Sequence, residues 1–558
     1  MAAPRVLFVH GGDDQADAAY RGGHGDWSQA LPVVLEKYGH LCLDVAVPEE
    51  LSGVTVDDYA CLLVASLPEE TWDRGLADLV IDGAKPSLVE RPPPAVARTL
   101  GVTRADYGGI EATVVGRAPE LRRRAAAYGA SPSARVKPPT TRPIAYDERR
   151  HWSALPGVDI TQEQAEAWAA PPWAFQRWEV DGSAEIWADW HSETAQEARY
   201  PALVRRGALF GLAFELFAYL GQAHSAEPWA HGEFRTSPRT NGLEALLLAT
   251  IDALHAIAGE RRIRLLPWPG GKTWALNVRH DFDRPLEPPD VAAVLAAHER
   301  AGTASTWYWR SRHLAPAGGT LLRRLRARRK RRRAIRSALL VANADRHEVA
   351  HHTERPWEGG EAEQSIIEEA IGAPLLGTSA HGDPDCFRFQ GAPNVLWASL
   401  RGLLYTELIQ RAHLHPHRFV AMDRNGRIVP LDVICLPHHE SFDLSMKPGD
   451  TAPERILRMT ALFAEAGGLL QVMNHPDLNV DELFETLASL PDEGRWDCTA
   501  SQAADWWRRT HVIGAADLRS SPDGVVTAEA VRPFRDARVE ILLPDGSTQI
   551  MSVDAEAK

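Results

Sequence analysis

An apolar run that ends in two carboxylates constrains the fold of this 558-residue chain more than any other stretch. Residues 274–278 (W-A-L-N-V) predict a buried strand, and residues 279–283 (R-H-D-F-D) follow it directly. Parallel α/β folds build their sites at the carboxyl ends of strands, which is where Asp281 and Asp283 are expected. Taken alone, the two carboxylates could equally mark the start of the next helix.

Three later stretches place histidine at the ends of further predicted strands. They are H-E-V-A-H-H (347–352), S-A-H-G (379–382) and M-N-H-P (473–476). A single buried histidine is more often a packed core residue than a ligand, so the inference depends on the set. Asp and His side chains that arrive on separate strand ends can form a metal site that stays open to water.

The order of predicted elements indicates an α/β multidomain chain. Residues 1–230 alternate strands and helices in the manner of a doubly wound domain, and residues 231–271 predict a helical linker. Residues 272–512 alternate again through about seven β/α units, including a helix near 395–410, and indicate a distorted barrel, complete or incomplete. Residues 513–558 predict a small β module with Asp545 and Gly546 in a hairpin turn.

Charge is distributed unevenly along the chain. The net charge is −14, yet residues 323–336 hold ten Arg or Lys in fourteen positions, which leaves −24 for the rest. A helix with charges all round cannot be an amphipathic core element. It is either a solvated helix or a docking site for an anionic partner, such as a phosphorylated carrier, an anionic membrane face or nucleic acid. The negative remainder makes nucleic acid the least expected of these.

Cysteine usage and hydropathy predict a reduced, cytoplasmic protein. The five cysteines show no C-x-x-C spacing, which argues against a disulfide framework. No apolar run approaches eighteen residues, and the first residues lack the pattern of a signal peptide. We therefore expect no transmembrane segment.

Residues 272–512 resemble the polysaccharide deacetylases of carbohydrate esterase family four (NodB-like), in an R-H-D-x-D variant of their first motif. The resemblance implies a distorted β/α barrel around one divalent metal. It makes Asp281 the catalytic base and Asp283 a metal ligand. Residues 304–309 (A-S-T-W-Y-W) take the place of the family's A-T-F-F strand.

The remaining motifs supply histidines by the same resemblance. Residues 346–353 (R-H-E-V-A-H-H-T) match G-H-E-I-G-x-H-T, so His352 becomes a metal ligand. The family's next ligand would fall at Pro356, and His381 in S-A-H-G is the replacement candidate. His475, in a loose match to L-x-x-H, becomes the general acid.

Further side chains are weaker candidates for the surroundings of this site. Those considered for substrate binding or for support of the ligands are Arg279, His347, Trp307, Trp309 and Asn474. Residues 438–440 (H-H-E) look like a ligand cluster locally but match no family motif, and a polar loop is the preferred interpretation.

Residues 1–230 are similar to class I glutamine-amidotransferase-like domains. They have no cysteine in the G-x-C-x-G context of a nucleophile elbow. The resemblance therefore implies a domain without catalytic activity.

The function expected from these features is metal-dependent hydrolysis. The resemblance implies removal of an N-acetyl or other small acyl group from an intracellular sugar or glycan precursor. Two His and one Asp favour Zn²⁺, although Co²⁺, Ni²⁺ or Mn²⁺ fit the same ligands. Two alternatives stay open: an amidohydrolase of a small metabolite on the same barrel, and a degenerate barrel that serves as a binding module.

Overall fold

The computed structural model describes most of the chain, and the strands, helices, sheets and contacts of this protein are those of the described part. The described residues are 4–12, 26–72, 75–82, 85–107, 112–136, 175–192, 195–224, 239–284, 286–315, 321–354, 356–381, 392–409, 413–422, 427–438, 440–442, 451–520 and 525–557.

The strands are numbered in chain order. They are Arg5–Val9 (β1), Leu43–Ala46 (β2), Tyr59–Val64 (β3), Ser87–Glu90 (β4), Val102–Tyr107 (β5), Ala112–Gly116 (β6), Ser133–Val136 (β7), Gln176–Val180 (β8), Glu185–Ser192 (β9), Ala195–Arg206 (β10), Leu209–Leu212 (β11), Arg262–Leu265 (β12), Trp274–Phe282 (β13), Ser305–Trp309 (β14), His347–Thr353 (β15), Gly377–Ala380 (β16), Tyr405–Ile409 (β17), His417–Met422 (β18), Ile428–His438 (β19), Glu440–Ser441 (β20), Leu469–Asn474 (β21), Arg495–Asp497 (β22), Ala516–Ser520 (β23), Val526–Ala530 (β24), Phe534–Leu542 (β25) and Thr548–Ala557 (β26).

The α-helices are numbered in the same way. They are Leu31–Glu36 (α1), Glu69–Trp72 (α2), Leu76–Ile81 (α3), Pro94–Thr99 (α4), Pro119–Ala126 (α5), Leu216–Ala223 (α6), Arg239–Ile257 (α7), Pro288–Ala301 (α8), Leu321–Ala342 (α9), Pro356–Ile371 (α10), Ala392–Leu400 (α11), Ala452–Ala466 (α12), Val480–Ala488 (α13) and Ala500–Thr510 (α14). Short 3-10 helices cover Trp27–Ala30, Pro48–Gly53, Val56–Asp58, Pro269–Gly271 and Ser311–His313.

The chain divides into two compact units, which confirms a mixed α/β protein with more than one unit. The first comprises Met1–Leu266, Val420–Pro430 and Arg509–Lys558, and the second comprises Pro267–Phe419 and Leu431–Arg508. Among the described residues, no helix has both the length and the apolar character needed to cross a membrane.

A nine-stranded sheet in the first unit combines two kinds of pairing. Its strand order is β2-β1-β3-β4-β11-β10-β9-β6-β7. The five strands from β2 to β11 are parallel, whereas the pairs from β11 to β7 are antiparallel. The predicted doubly wound pattern therefore describes only the parallel half.

Two predicted segments at the ends of the first unit take different roles in the structure. Helix α7, which lies in the predicted helical linker, contributes buried leucines to the same core as β1 and β3. Strand β12 pairs with β25 in a five-stranded sheet of order β12-β25-β26-β24-β23. The predicted C-terminal strands therefore form one sheet with a strand from the predicted linker.

The second unit is built on parallel strands. From β19 the order runs β19-β17-β16-β15-β14-β13-β21-β20, and β22 pairs with the start of β13. Each neighbouring pair in this series is parallel, so the carboxyl ends of these strands share one edge. The predicted helix near 395–410 is wrong over its second half, because α11 ends at Leu400 and residues 405–409 form β17. The described strands follow an open path, and the predicted barrel shape stays a prediction.

Side-chain alternation along β13 divides the second unit into an interior and a helix-covered face. All nine residues of β13 are buried, as expected for a strand covered on both faces. Trp274, Leu276 and Val278 pack in a core cluster with residues of α12 and α13, and Phe282 packs in a second cluster with residues of α8 and α9. Because successive side chains point to opposite faces, Arg279 and Asp281 lie on the interior face.

Local sequence signals set the ends of the helices around these strands. Thr451 caps α12 by accepting a hydrogen bond from the backbone N–H of Glu454 through its side chain. The helix ends at Gly467, whose φ of 73° suits a residue without Cβ. The chain then enters β21 directly, which delivers His475 to the carboxyl edge of the sheet.

Candidate metal centre

Three predicted ligands converge at the carboxyl edge of the parallel strands. Asp283 follows β13, His352 lies near the end of β15 and His381 follows β16. Their ligand atoms all lie within 4.8 Å of one another. His381 Nε2 is 3.0 Å from Asp283 Oδ1, and His352 Nε2 is 3.5 Å from the same oxygen. Both histidines are buried, whereas the Asp283 side chain is 28% exposed, so the cluster has one solvent-facing side.

The charge states of the cluster suit a cation. Burial lowers the pKa of His352 to about 3, so its imidazole is neutral near pH 7. Burial would raise the pKa of Asp283, but the contacts of its carboxylate with the rings of His381 and His475 outweigh burial and hold that pKa well below its usual range. A neutral imidazole next to an ionised carboxylate is the form that ligates metals.

The hydrogen bonds around His352 test whether a metal fits. Its Nδ1 is 3.3 Å from the backbone oxygen of Ser379, a contact in which the ring nitrogen donates. The lone pair is then on Nε2, which faces the carboxylates of Asp281 at 3.6 Å and Asp283 at 3.5 Å. Asp283 Oδ1 is buried and accepts no hydrogen bond from the residues that the structure describes. A lone pair and an orphaned carboxylate oxygen that face each other repel unless a cation lies between them, so this donor set fits a divalent ion.

Asp281 is held beside the cluster by a buried arginine. Arg279 donates from Nε to Asp281 Oδ1 at 2.5 Å and from Nη2 to Oδ2 at 2.7 Å. Burial acts to raise the pKa of Asp281, but the Arg279 guanidinium and then His352 lower it below its ordinary value. The carboxylate is therefore ionised at every pH at which the protein is expected to work.

A second carboxylate fixes that arginine from the other side. Arg279 Nη1 donates to Glu407 Oε2 at 2.7 Å. The opposite oxygen of Glu407 accepts hydrogen bonds from the hydroxyl of Tyr308 and from Gln471 Nε2, the latter at 2.7 Å. All four side chains are buried in the interior of the unit. The network therefore leaves Arg279 little freedom to turn away from Asp281.

His475 lies on the solvent side of the cluster. Its Nε2 is 3.4 Å from Asp283 Oδ2, and its side chain is 18% exposed. Asn474 donates from Nδ2 to the backbone oxygens of His475 at 2.9 Å and Leu478 at 3.0 Å. These two hydrogen bonds hold Asn474 in the loop that carries His475.

Three of the weaker sequence candidates lie elsewhere. Trp307 and Trp309 are fully buried on the helix-covered face, in the cluster that contains Phe282, so neither ring can stack on a sugar. His347 begins β15, five residues before His352, which places it about 16 Å along the strand from the cluster. Its Nδ1 contacts Ser305 Oγ at 2.8 Å. The strand alternation and direction therefore place these three side chains away from the metal-ligand cluster.

The H-H-E stretch is described only in part. His438 is the last residue of β19 and is buried, whereas His439 lies outside the described residues. Among the described residues, His438 is not part of any group of side chains with metal-ligand spacing.

Two residues beside the centre were missed by the sequence argument. Arg310 follows β14, and its Nη1 lies 2.8 Å from His381 Nε2 and 3.6 Å from Asp283 Oδ1. Glu407 lies on β17, a strand that the sequence argument treated as helix. A usable signal existed for each residue: Arg310 directly follows an apolar strand, and Glu407 is a single acid inside the apolar run Y-T-E-L-I.

Comparisons with known proteins give distant structural likenesses. No protein-family model matches the chain. No curated protein matches it either.

Solved structures of deacetylases match slightly less than half of the chain. A protein described as a polysaccharide deacetylase from Mycobacterium smegmatis is 17% identical, with 44% of this chain and 93% of that chain covered and a TM-score of 0.31. A family 4 carbohydrate esterase from Bacillus anthracis is 9% identical, with 43% and 86% covered and a TM-score of 0.25. A mutant of a CE4 family pseudoenzyme is 11% identical, with 43% and 72% covered and a TM-score of 0.27.

These scores are too low to carry an argument, so the functional inference rests on the residues of the centre. The comparisons lend no support to the amidotransferase-like resemblance of residues 1–230.

Proposed function

We propose that the second unit is a metal-dependent hydrolase that removes an N-acetyl or other small acyl group from a sugar or glycan precursor. The observation that carries the proposal is the convergence of Asp283, His352 and His381, with Asp281 and His475 beside them. The motif order that resembles polysaccharide deacetylases supplies the substrate class. His381 fills the ligand position that Pro356 leaves open in the family pattern.

The residues that would hold the metal are Asp283, His352 and His381. Two imidazoles and one carboxylate favour Zn²⁺, and Co²⁺, Ni²⁺ or Mn²⁺ accept the same donors. When bound, a divalent ion would lower the pKa of a water molecule and polarise the acyl carbonyl.

The chain's own groups then divide the proton transfers. Hydrolysis adds water to the acyl carbon and breaks the bond to nitrogen, so one proton leaves the water and one reaches the amine. Asp281 is ionised and adjoins the cluster, with Oδ2 3.6 Å from His352 Nε2, and it accepts the proton from water. His475 lies beside Asp283 on the solvent side and donates a proton to the leaving amine.

The pair formed by Asp281 and Arg279 limits what this base can do alone. A carboxylate with a lowered pKa is a weak base, so it can take a proton only from a water that is already acidified. The main contribution of Asp281 is therefore a negative charge at a fixed position. Arg279 keeps the carboxylate ionised and holds it in place. The proposed mechanism accordingly requires the metal and predicts no activity without it.

The test combines metal content with acyl release on the full chain. Elemental analysis of the wild type is expected to find about one equivalent of Zn, Co, Ni or Mn, which His381→Ala loses. His347→Ala is the matched control, because His347 lies at the far end of β15, and it should retain the metal. Intact-mass analysis of N-acetylated sugars and of small-metabolite amides then distinguishes the two hydrolase hypotheses, because a sugar substrate loses its acyl group whereas an amide substrate gains water across its C–N bond.

Two results would overturn the proposal. Activity retained in Asp283→Ala, His352→Ala and His381→Ala would show that the cluster is not the catalytic centre. No metal in the wild type after reconstitution would favour the non-catalytic binding module instead.

A further inference from the structure

Helix α9 carries a solvent-exposed cationic face. It consists of exposed basic side chains within three turns: Arg326, Arg328, Arg329, Lys330, Arg332, Arg333 and Arg336. These positions span about 15 Å along the helix axis and about 200° of its circumference. The opposite side of the helix, which includes Ala334 and Ala338, packs in the core with Val291 of α8. The helix is therefore anchored by a narrow apolar side and presents its charge outward.

Two leucines lie exposed on the cationic face, although apolar side chains are usually buried. Leu325 is 53% exposed and lies between Arg332 and Arg336 in angular position, near the centre of the arc. Leu340 is 38% exposed and lies further along the same side. A helix that is only solvated gains nothing from apolar side chains there, whereas an interfacial helix can insert them.

The cationic face adjoins the edge of the sheet that carries the metal centre. Arg333 Nη1 is 2.7 Å from Glu287 Oε1, in the segment that leaves β13. Arg331 donates to the backbone oxygen of Leu314, in the segment that leaves β14. His313, next to Leu314, contacts the backbone oxygen of Asp283 at 2.9 Å. The basic turns of α9 thus lie on the same edge as the metal-ligand cluster.

We propose that this face docks the protein on an anionic lipid bilayer. A single phosphate or diphosphate engages two or three cations, whereas this face offers six besides Arg333, which contacts Glu287. Six cations over a convex surface suit an extended anionic plane. Nucleic acid would bind the basic side chains but leave Leu325 in water. A bilayer accommodates both, because its headgroups bind the basic side chains and its acyl chains accept Leu325. The rest of the protein carries a net negative charge, which the same surface repels, so the cationic face is expected to turn toward the bilayer. The docking surface is independent of whether the metal centre is catalytic.

The experiment measures sedimentation of the full chain with vesicles. Phosphatidylcholine vesicles with about 30% phosphatidylglycerol should bind the protein, and vesicles of phosphatidylcholine alone should not. A triple variant, Arg329→Gln, Arg332→Gln and Arg336→Gln, removes three charges at the centre of the face. At about fivefold per charge, its partition coefficient should fall by about 100-fold.

A matched triple variant controls for net charge. Arg122→Gln, Arg123→Gln and Arg535→Gln remove the same charge from exposed positions of the first unit and should leave vesicle binding within about twofold. Leu325→Ser should weaken binding several-fold while leaving its salt dependence unchanged, because it removes apolar contact only. Circular dichroism of each variant verifies that the helices are retained.

Three results would overturn the proposal. They are absence of binding to the anionic vesicles, equal loss in the two triple variants, and binding that Leu325→Ser leaves unchanged while duplex DNA competes it away. The last result would make a polyanion the partner. None of these outcomes bears on acyl release by the metal centre, which is measured without vesicles.

Discussion

Replacing Glu407 by Gln tests whether the buried network supports the second unit and its base. Three donors converge on this carboxylate: Arg279 Nη1 on one oxygen, and the Tyr308 hydroxyl and Gln471 Nε2 on the other. A glutamine has one acceptor oxygen and one amide nitrogen that only donates. Whichever way it turns, the amide group of Glu407→Gln must face at least one donor, so a buried polar group is left without a partner.

The magnitude follows from the kinds of contact that are lost. A hydrogen bond to a charged group contributes about 1.5–3 kcal/mol, and leaving a buried donor unsatisfied costs about 1–3 kcal/mol more. Burial raises the pKa of Glu407, although Arg279 opposes this, so part of the cost of holding a charge there is recovered when the charge is removed. We expect the free energy of unfolding of the second unit to fall by about 2–4 kcal/mol.

Urea unfolding followed by tryptophan fluorescence measures this change. Glu465→Gln is the matched control, since Glu465 is exposed near the end of α12, and it should change the free energy of unfolding by less than about 0.5 kcal/mol. Below the unfolding transition, Glu407→Gln should also lower kcat with little effect on KM, because Arg279 is free to turn away from Asp281. A variant with wild-type stability would refute the assignment of Glu407 as the group that fixes Arg279.

Two further predictions concern stability of the second unit. Burial raises the pKa of Glu348 to about 7, so the folded state keeps a proton that the unfolded state loses above about pH 4.5. The free energy of unfolding should therefore fall by about 3 kcal/mol between pH 4.5 and 7. Urea titrations at several pH values measure this slope, which Glu348→Gln should flatten. Gly377→Ala places a Cβ against the ring of Tyr405, well inside van der Waals distance, and should lower the free energy of unfolding by about 1–3 kcal/mol. Gly359→Ala in α10 meets no atom within 4 Å and should be neutral or stabilising by up to about 1 kcal/mol. Thermal melts of the two alanine variants measure both effects. Equal melting temperatures for the two alanine variants would contradict the packing at β16.

The sequence predicted the elements that carry their own periodic signal. Strand β13, with its continuous apolar run, and the strand ends at His352, His381 and His475 were recognisable because their order and spacing match a parallel arrangement. The alternation rule also explains the failures. Trp307 and Trp309 belong to the same short strand as Tyr308, and a single sequence does not show which alternate set faces the interior. Only the packing of β14 against α8 and α9 decides it.

Other features depended on contacts between residues distant in the chain. Glu407 is 128 positions from Arg279, and nothing local marks the two as partners. The antiparallel half of the first sheet and the pairing of β12 with β25 also depend on contacts between distant residues. Residues 262–265, for example, are too few to predict a strand in isolation. Local propensity therefore gave the elements of this chain, while long-range hydrogen bonds decided how the weaker ones pair.

Arg310 leads to a last prediction about the metal-ligand cluster. Its guanidinium can only donate, and its Nη1 lies 2.8 Å from His381 Nε2, so it engages the lone pair that a metal would require. It also brings a positive charge to within 3.6 Å of Asp283 Oδ1. Arg310 and a divalent ion therefore compete for the same two ligands. Removing the guanidinium in Arg310→Gln releases a charged hydrogen bond of about 1.5–3 kcal/mol, so Zn²⁺ should bind about 10- to 100-fold more tightly.

Competition with a chelator of known affinity measures the apparent Kd for Zn²⁺. Arg312→Gln is the control, because Arg312 is half exposed and shares with Arg310 the partner Glu354, at 3.5 Å, so it should leave the Kd unchanged. Weaker Zn²⁺ binding in Arg310→Gln would mean that the guanidinium orients His381 and Asp283 rather than competing for them. In that case the same contacts would make Arg310 a support of the ligand set. The direction of the change in Kd therefore decides whether Arg310 competes with the metal ion or supports its ligands.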